Sequence, residues 1–78
     1  MAKKLKVWGG IKYQYREIVA TYTKKRAIEL IGNISVKYFN DYFTETYNNR
    51  ELLIALETPE TVFITVDNYH NSEYVRKE

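Results

Sequence analysis

The stretch that most constrains this chain is residues 23–49, TKKRAIELIGNISVKYFNDYFTETYNN. Two short apolar stripes at helical spacing flank one glycine, and the chain on both sides alternates like β-strand. A centre of this kind demands a mixed fold, in which short helices pack on a sheet built from the flanks. Thr23 offers a hydroxyl to the free N–H groups of a first helix over 24–31, with Ala27, Ile28 and Ile31 on one side and Leu30 widening the stripe. Gly32 takes the left-handed position past its end. Ser35 caps a second helix from 36 to about 43, with Val36, Phe39 and Phe43 inward and Tyr38 and Tyr42 beside them. Residues 44–47 read as a connector. Asn48, with Glu51 three residues on, resembles a capping box for a third helix over 49–57. Leu52, Leu53 and Leu56 supply its inner face, and Thr58-Pro59 stops it.

Residues 3–8 alternate as a half-buried strand, and Gly9-Gly10 marks a turn whose loop extends as far as Lys12 on the alternative reading. A second strand lies within 13–23, where Ile18, Ala20 and Tyr22 form one face and Val19 and Thr21 the other. VFITV at 62–66 reads as a central strand pairing with the first. The polar remainder, 67–78, is either a frayed terminus or, through Tyr69, Tyr74 and Val75, a short edge strand. The expected architecture is α+β: a three-stranded antiparallel sheet with three short helices on one face, in the order β-β-α-α-α-β.

With 78 residues and no cysteine, the expectation is one domain stabilised by packing alone, without disulfides or thiolate metal sites. Lysines interrupt the apolar residues of MAKKLKVWGG, so no signal peptide is expected. No apolar run approaches membrane-spanning length, and the reading is a soluble, cytoplasmic protein with no membrane partner. Charge divides unevenly: nine Lys/Arg face two acids in residues 1–37, and three face eight in 38–78. Such a split either steers an anionic partner to one face or is consumed in internal ion pairs.

Catalytic chemistry finds little to work with. The single histidine, His70, lies in the polar tail, and no His, Asp and Glu residues have the spacing of metal ligands. Gly9-Gly10 lacks the further glycine and lysine of a phosphate loop. The expectation is a binding protein, with no enzyme activity, no metal and no cofactor.

Two constellations suit binding. Trp8, Tyr13 and Tyr15 on the hairpin, and Tyr38 and Tyr42 on the second helix, are candidates for a protein-binding surface, although for Trp8 a place in the small core is the better reading. The run AIELIGNISVKYFNDYF resembles a helix-turn-helix, with Ala27, Leu30, Ile31, Gly32, Ile34 and Ser35 at matching positions and Asn33 as an extra residue in the turn. That resemblance implies phosphate contacts from Lys24, Lys25 and Arg26, and groove contacts from Lys37, Tyr38, Asn40 and Asp41.

The wider pattern VWGG (7–10), IVA (18–20), KKRAIEL (24–30), YFNDYFTETYNN (38–49), ExxIAL (51–56) and PxxVF (59–63) resembles small uncharacterised proteins encoded by bacteriophages and prophages. That resemblance implies a small protein made in a bacterial host during infection, inhibiting or redirecting a host or phage protein, or regulating transcription on DNA. A homodimer with self-complementary tyrosines is a third expectation.

Overall fold

The computed structural model describes residues 4–12, 15–65 and 74–76. Its elements are β1 (Lys6–Lys12), β2 (Tyr15–Thr21), α1 (Lys24–Ile31), α2 (Val36–Tyr42), β3 (Phe43–Glu45), α3 (Asn49–Glu57), β4 (Phe63–Thr65) and β5 (Tyr74–Arg76). The class is α+β with three helices, as expected. Among the described residues the sheet has five antiparallel strands, not three, in the order β3-β1-β2-β4-β5.

The helix ends follow local chemistry. Thr23 Oγ1 accepts from the Arg26 N–H at 3.2 Å, Ser35 Oγ from Tyr38 N–H at 3.0 Å, and Asn48 Oδ1 from the N–H groups of Arg50 and Glu51 at 3.0 and 3.2 Å. Each satisfies donors that the first helical turn leaves free. Gly32 closes α1 at φ 72° and ψ 159°, a region that is essentially glycine's own. Asn33 follows at φ 55°, so the extra turn residue occupies the left-handed region that asparagine tolerates.

The expected turn at Gly9-Gly10 is a continuous strand. β1 and β2 pair from Lys6↔Thr21 to Lys12↔Tyr15, with Gly9 opposite Ile18 and Gly10 opposite Glu17. Positions 13 and 14, outside the described residues, join them. The glycines are there for close packing: a Cβ on Gly10 would lie 2.8 Å from Phe43 Cα and nearer still to the Tyr42 carbonyl oxygen. That closeness lets β3 pair with β1, turning Phe43, expected at the end of the second helix, and the first two residues of the expected 44–47 connector into an edge strand. With β3 on one side of β1 and β2 on the other, the 62–66 strand has no place beside β1. Within it β4 (Phe63–Thr65) pairs with β2 and β5 instead; Val62 precedes the strand and Val66 lies outside the described residues. Within the tail, residues 74–76 form the edge strand, while Tyr69 and His70 lie outside the described residues.

The helices cover both faces of the sheet, correcting the one-sided expectation. Side chains alternate along a strand, so Val19 and its neighbour Ile18 point opposite ways. Val19 packs with Ala27, Ile31, Phe39, Phe43 and Val62 under α1 and α2. Ile18, Ala20 and Val7 pack with Ala55 of α3 on the other face. The physical reason lies in β2, whose EIVAT run is buried on both sides, a pattern that only two-sided coverage satisfies.

Candidate functional site

α2 presents the aromatic pair that the sequence singled out. Its inner face is held by Phe39, fully buried and stacked on Phe43 with ring centroids 5.1 Å apart. With Phe39 pointing inward, Tyr38 and Tyr42 fall side by side, one helical turn apart. Their rings tilt by 36° with centroids 4.5 Å apart, inside the favourable range for aromatic pairs. The Tyr38 hydroxyl donates to the Ile11 carbonyl oxygen at 3.3 Å, tying the pair to the end of β1. Tyr42 is 58% exposed. Tyr15 is also exposed and, opposite Lys12, lies on the same side of the sheet as α2. Tyr13 lies outside the described residues.

Trp8 does not join this surface. Its ring meets Phe39 edge-on at 5.7 Å, and its indole N–H donates to Thr21 Oγ1 at 3.1 Å. The Thr21 hydroxyl in turn donates to the Thr23 carbonyl oxygen at 2.6 Å, linking the core to the α1 cap.

The basic residues Lys24, Lys25 and Arg26 are all exposed in the first turn of α1, and Lys37 and Asn40 are exposed on α2. Arg26 is engaged by Glu60 at 3.0 Å, and the Lys24 ammonium sits 5.8 Å above the Phe39 ring. Lys24, Lys25, Ile28, Glu29 and Val36 line an open groove of 390 Å³. Val36, expected inside, is exposed at the rim of this groove. A lysine missed in the sequence supports the turn between the helices: Lys12, buried, donates through Nζ to the carbonyl oxygens of Ile31 and Gly32 at 3.3 and 2.9 Å. A cation there answers the carbonyls at the helix end and the negative end of the α1 dipole.

On the opposite face of the sheet lies a buried charged cluster. Glu51 accepts from Arg16 Nε at 2.5 Å and Nη2 at 3.0 Å, from the Thr46 hydroxyl at 2.7 Å, and from the Tyr74 hydroxyl. Burial pushes the Glu51 carboxyl up, but the bonds from Arg16, Tyr74 and Thr46 together outweigh it and hold the group below its ordinary range. Arg16 is raised chiefly by its hydrogen bond to Glu51. Burial, then the Glu51 hydrogen bond and charge, push Tyr74 up to about 12. An ionised carboxylate filled with four donors has no proton to give at neutral pH, so the cluster acts as a clamp joining β2, α3 and β5. The expected capping box is therefore only half formed: Thr46 Oγ1, at 3.2 Å, receives the Asn48 N–H while Glu51 turns inward.

α3 is consequently rotated from the sequence expectation. Glu51 and Ala55 are buried and Leu52 packs against the Val7, Ile18 and Ala20 core as expected, whereas Leu53 and Leu56 are exposed. Among the described residues, no three His, Asp or Glu side chains converge as metal ligands, and no helix is long and apolar enough to cross a membrane. Comparison of the chain with family models, curated proteins and solved structures finds no match.

Proposed function

We propose that this chain is a small, non-enzymatic, phage-type protein of the bacterial cytoplasm that docks on a host or phage protein and modulates it. The observation that supports this reading is the Tyr38–Tyr42 pair. Two rings held at 4.5 Å on a capped helix, one of them hydrogen-bonded to β1, present aromatic area already ordered before contact. Preordered aromatic side chains lose little conformational entropy on binding, which is why such rings recur as interface anchors. Tyr15 and the cations of α1 widen the surface, and the basic N-terminal half steers it toward an acidic partner.

The test is capture from host-cell and infected-cell lysates by immobilised wild type and by the Tyr38→Ala/Tyr42→Ala variant, with circular dichroism confirming that the variant folds. The expected result is a partner retained by wild type and lost by the folded variant. Equal retention by both removes the aromatic pair from the reading.

A second reading, DNA regulation through residues 24–43, draws support from the exposed Lys24, Lys25 and Arg26 beside exposed Lys37 and Asn40. Asp41 on the same helix and Glu60 on Arg26 weigh against it. A mobility shift with random duplex DNA at two salt concentrations separates the readings. Salt-sensitive binding, lost when Lys24, Lys25 and Arg26 become alanine, favours DNA; no shift at low salt favours the protein partner.

A further inference from the structure

The outward side of α3 is an anomaly that the Tyr38–Tyr42 surface does not use, since α3 covers the opposite face of the sheet. Leu53 is 74% exposed and Leu56 41%, and Tyr47, just ahead of the helix, is 76% exposed. A nine-residue helix that buries a glutamate and shows two of its three leucines has part of its polarity inverted. The Glu51 clamp explains the inward half of this inversion. It does not explain why the outward half is apolar.

Helical geometry defines what surrounds these leucines. At 100° per residue, Leu53 points directly away from buried Glu51 and Ala55. Arg50 and Glu57 flank it on one side, about 4.5 Å below and about 6 Å above it along the axis, and Asn49 and Leu56 flank it on the other. All five are exposed. This arrangement complements itself. A two-fold axis beside Leu53 sets two copies of α3 antiparallel and keeps each flank on its own side while reversing direction along the helix. Arg50 of one copy then meets Glu57 of the second, twice by symmetry, around a Leu53–Leu53 contact, and each Leu56 covers Asn49 of the second copy.

We propose that α3 is a self-association face and that its occupant is α3 of a second copy of this chain, in an antiparallel two-fold dimer. A two-fold interface requires one patch that matches itself, and the Arg50/Leu53/Glu57 stripe does so in both charge and apolar content. The balance of one cation and one anion on this face lacks the Lys/Arg fringe of a helix that lies on anionic membranes. An interface centred on two nine-residue helices stays below about 1,200 Å² in total, the range of weak and transient dimers. The Tyr38–Tyr42 surfaces lie on the outer sides, so the dimer carries two of them, and a partner with two sites gains avidity without new contacts.

Sedimentation velocity of the full chain from about 10 μM to about 1 mM tests the proposal, spanning the affinities of small interfaces. The expected result is a concentration-dependent dimer, with the dissociation constant raised at least about tenfold by Leu53→Asp, which removes an apolar contact from both copies. Arg50→Glu alone and Glu57→Arg alone weaken the dimer, and the double exchange restores it because both pairs reform with inverted sign. Circular dichroism of each variant checks that the monomer folds, and the restored double variant guards against a fold defect caused by losing Arg50 from the Tyr74 ring, 5.7 Å away. A wild type monomeric throughout overturns the proposal, as does a dimer indifferent to Leu53→Asp or a double exchange that fails to restore association. A monomer that co-sediments with phosphatidylglycerol vesicles assigns the face to a membrane surface and likewise overturns it.

Discussion

Glu51→Gln probes the interaction on which the α3 side of the molecule depends. The substitution keeps the shape of the side chain but removes its charge and places an amide N–H₂ among groups that all donate. In the folded chain Glu51 receives two bonds from Arg16 and one each from Thr46 and Tyr74. Removing one partner of a buried ion pair costs about 3–5 kcal/mol. The Arg16 side chain is 33% exposed and regains water, which lowers the figure, and the retained amide oxygen keeps one acceptor. The expected loss is about 2 kcal/mol for Glu51→Gln and about 3 kcal/mol for Glu51→Ala. Against roughly 4–12 kcal/mol for a domain of this length, both variants remain measurable. Urea unfolding followed by circular dichroism is the assay. With a slope of about 1 kcal/mol/M, the midpoint falls by about 2 M for Glu51→Gln. A shift under about 0.5 M would refute the clamp. Acid adds a second readout. The folded carboxyl titrates below its ordinary 4.5, so the contribution is complete above about pH 4.5 and disappears as pH falls through the folded value. The gap between wild type and Glu51→Gln therefore narrows in acid; a gap that widens there contradicts the assigned ionisation.

Gly10→Ala is expected to cost about 2–3 kcal/mol in the same urea assay, because the added methyl meets the backbone of Tyr42 and Phe43. Gly9→Ala costs less, about 1–2 kcal/mol, since its nearest neighbour is a side-chain end, the Arg16 guanidinium, whose shift strains its bonds to Glu51 without moving backbone; a neutral Gly10→Ala would count against the close β1–β3 pairing. Tyr74, raised from 10.0 to about 12, is expected to give an ionisation step near pH 12 in a near-ultraviolet titration, a step absent from Tyr74→Phe. A group whose folded value lies above its unfolded value stabilises fully below the unfolded value, so this contribution is present below about pH 10 and lost as pH rises through about 12. Ionisation of Tyr74 near pH 10 would remove it from the Glu51 cluster.

The readable parts of the chain were those governed by neighbours in sequence. Thr23, Gly32, Ser35, Asn48 and Pro59 bound the three helices by chemistry within a few residues, and α1, α2 and α3 lie where those signals put them. The Tyr38–Tyr42 pair was equally legible, since a spacing of four on a helix makes two rings neighbours whatever else the chain does. Gly9-Gly10 misled because a glycine pair signals a turn as readily as a close approach, and only a distant segment, Phe43, distinguishes the two. Trp8 has the composition of an interface anchor, yet its edge-on contact with Phe39 places it in the core.

By itself the sequence determined the fold class, the helix boundaries and the aromatic pair, because caps, turns and helical spacing act within one or two turns of chain. Tertiary structure decided the number of strands, the coverage of both sheet faces and the side of α3 that faces inward. Each of these depends on groups far apart in the chain. β3 needs the free edge of β1, and β5 needs that of β4. The orientation of α3 is set where Arg16, 35 residues from Glu51, and Tyr74, 23 residues away, converge on one carboxylate. A buried charge must find its partners, and that requirement outweighs the leucine stripe that local patterning would have turned inward.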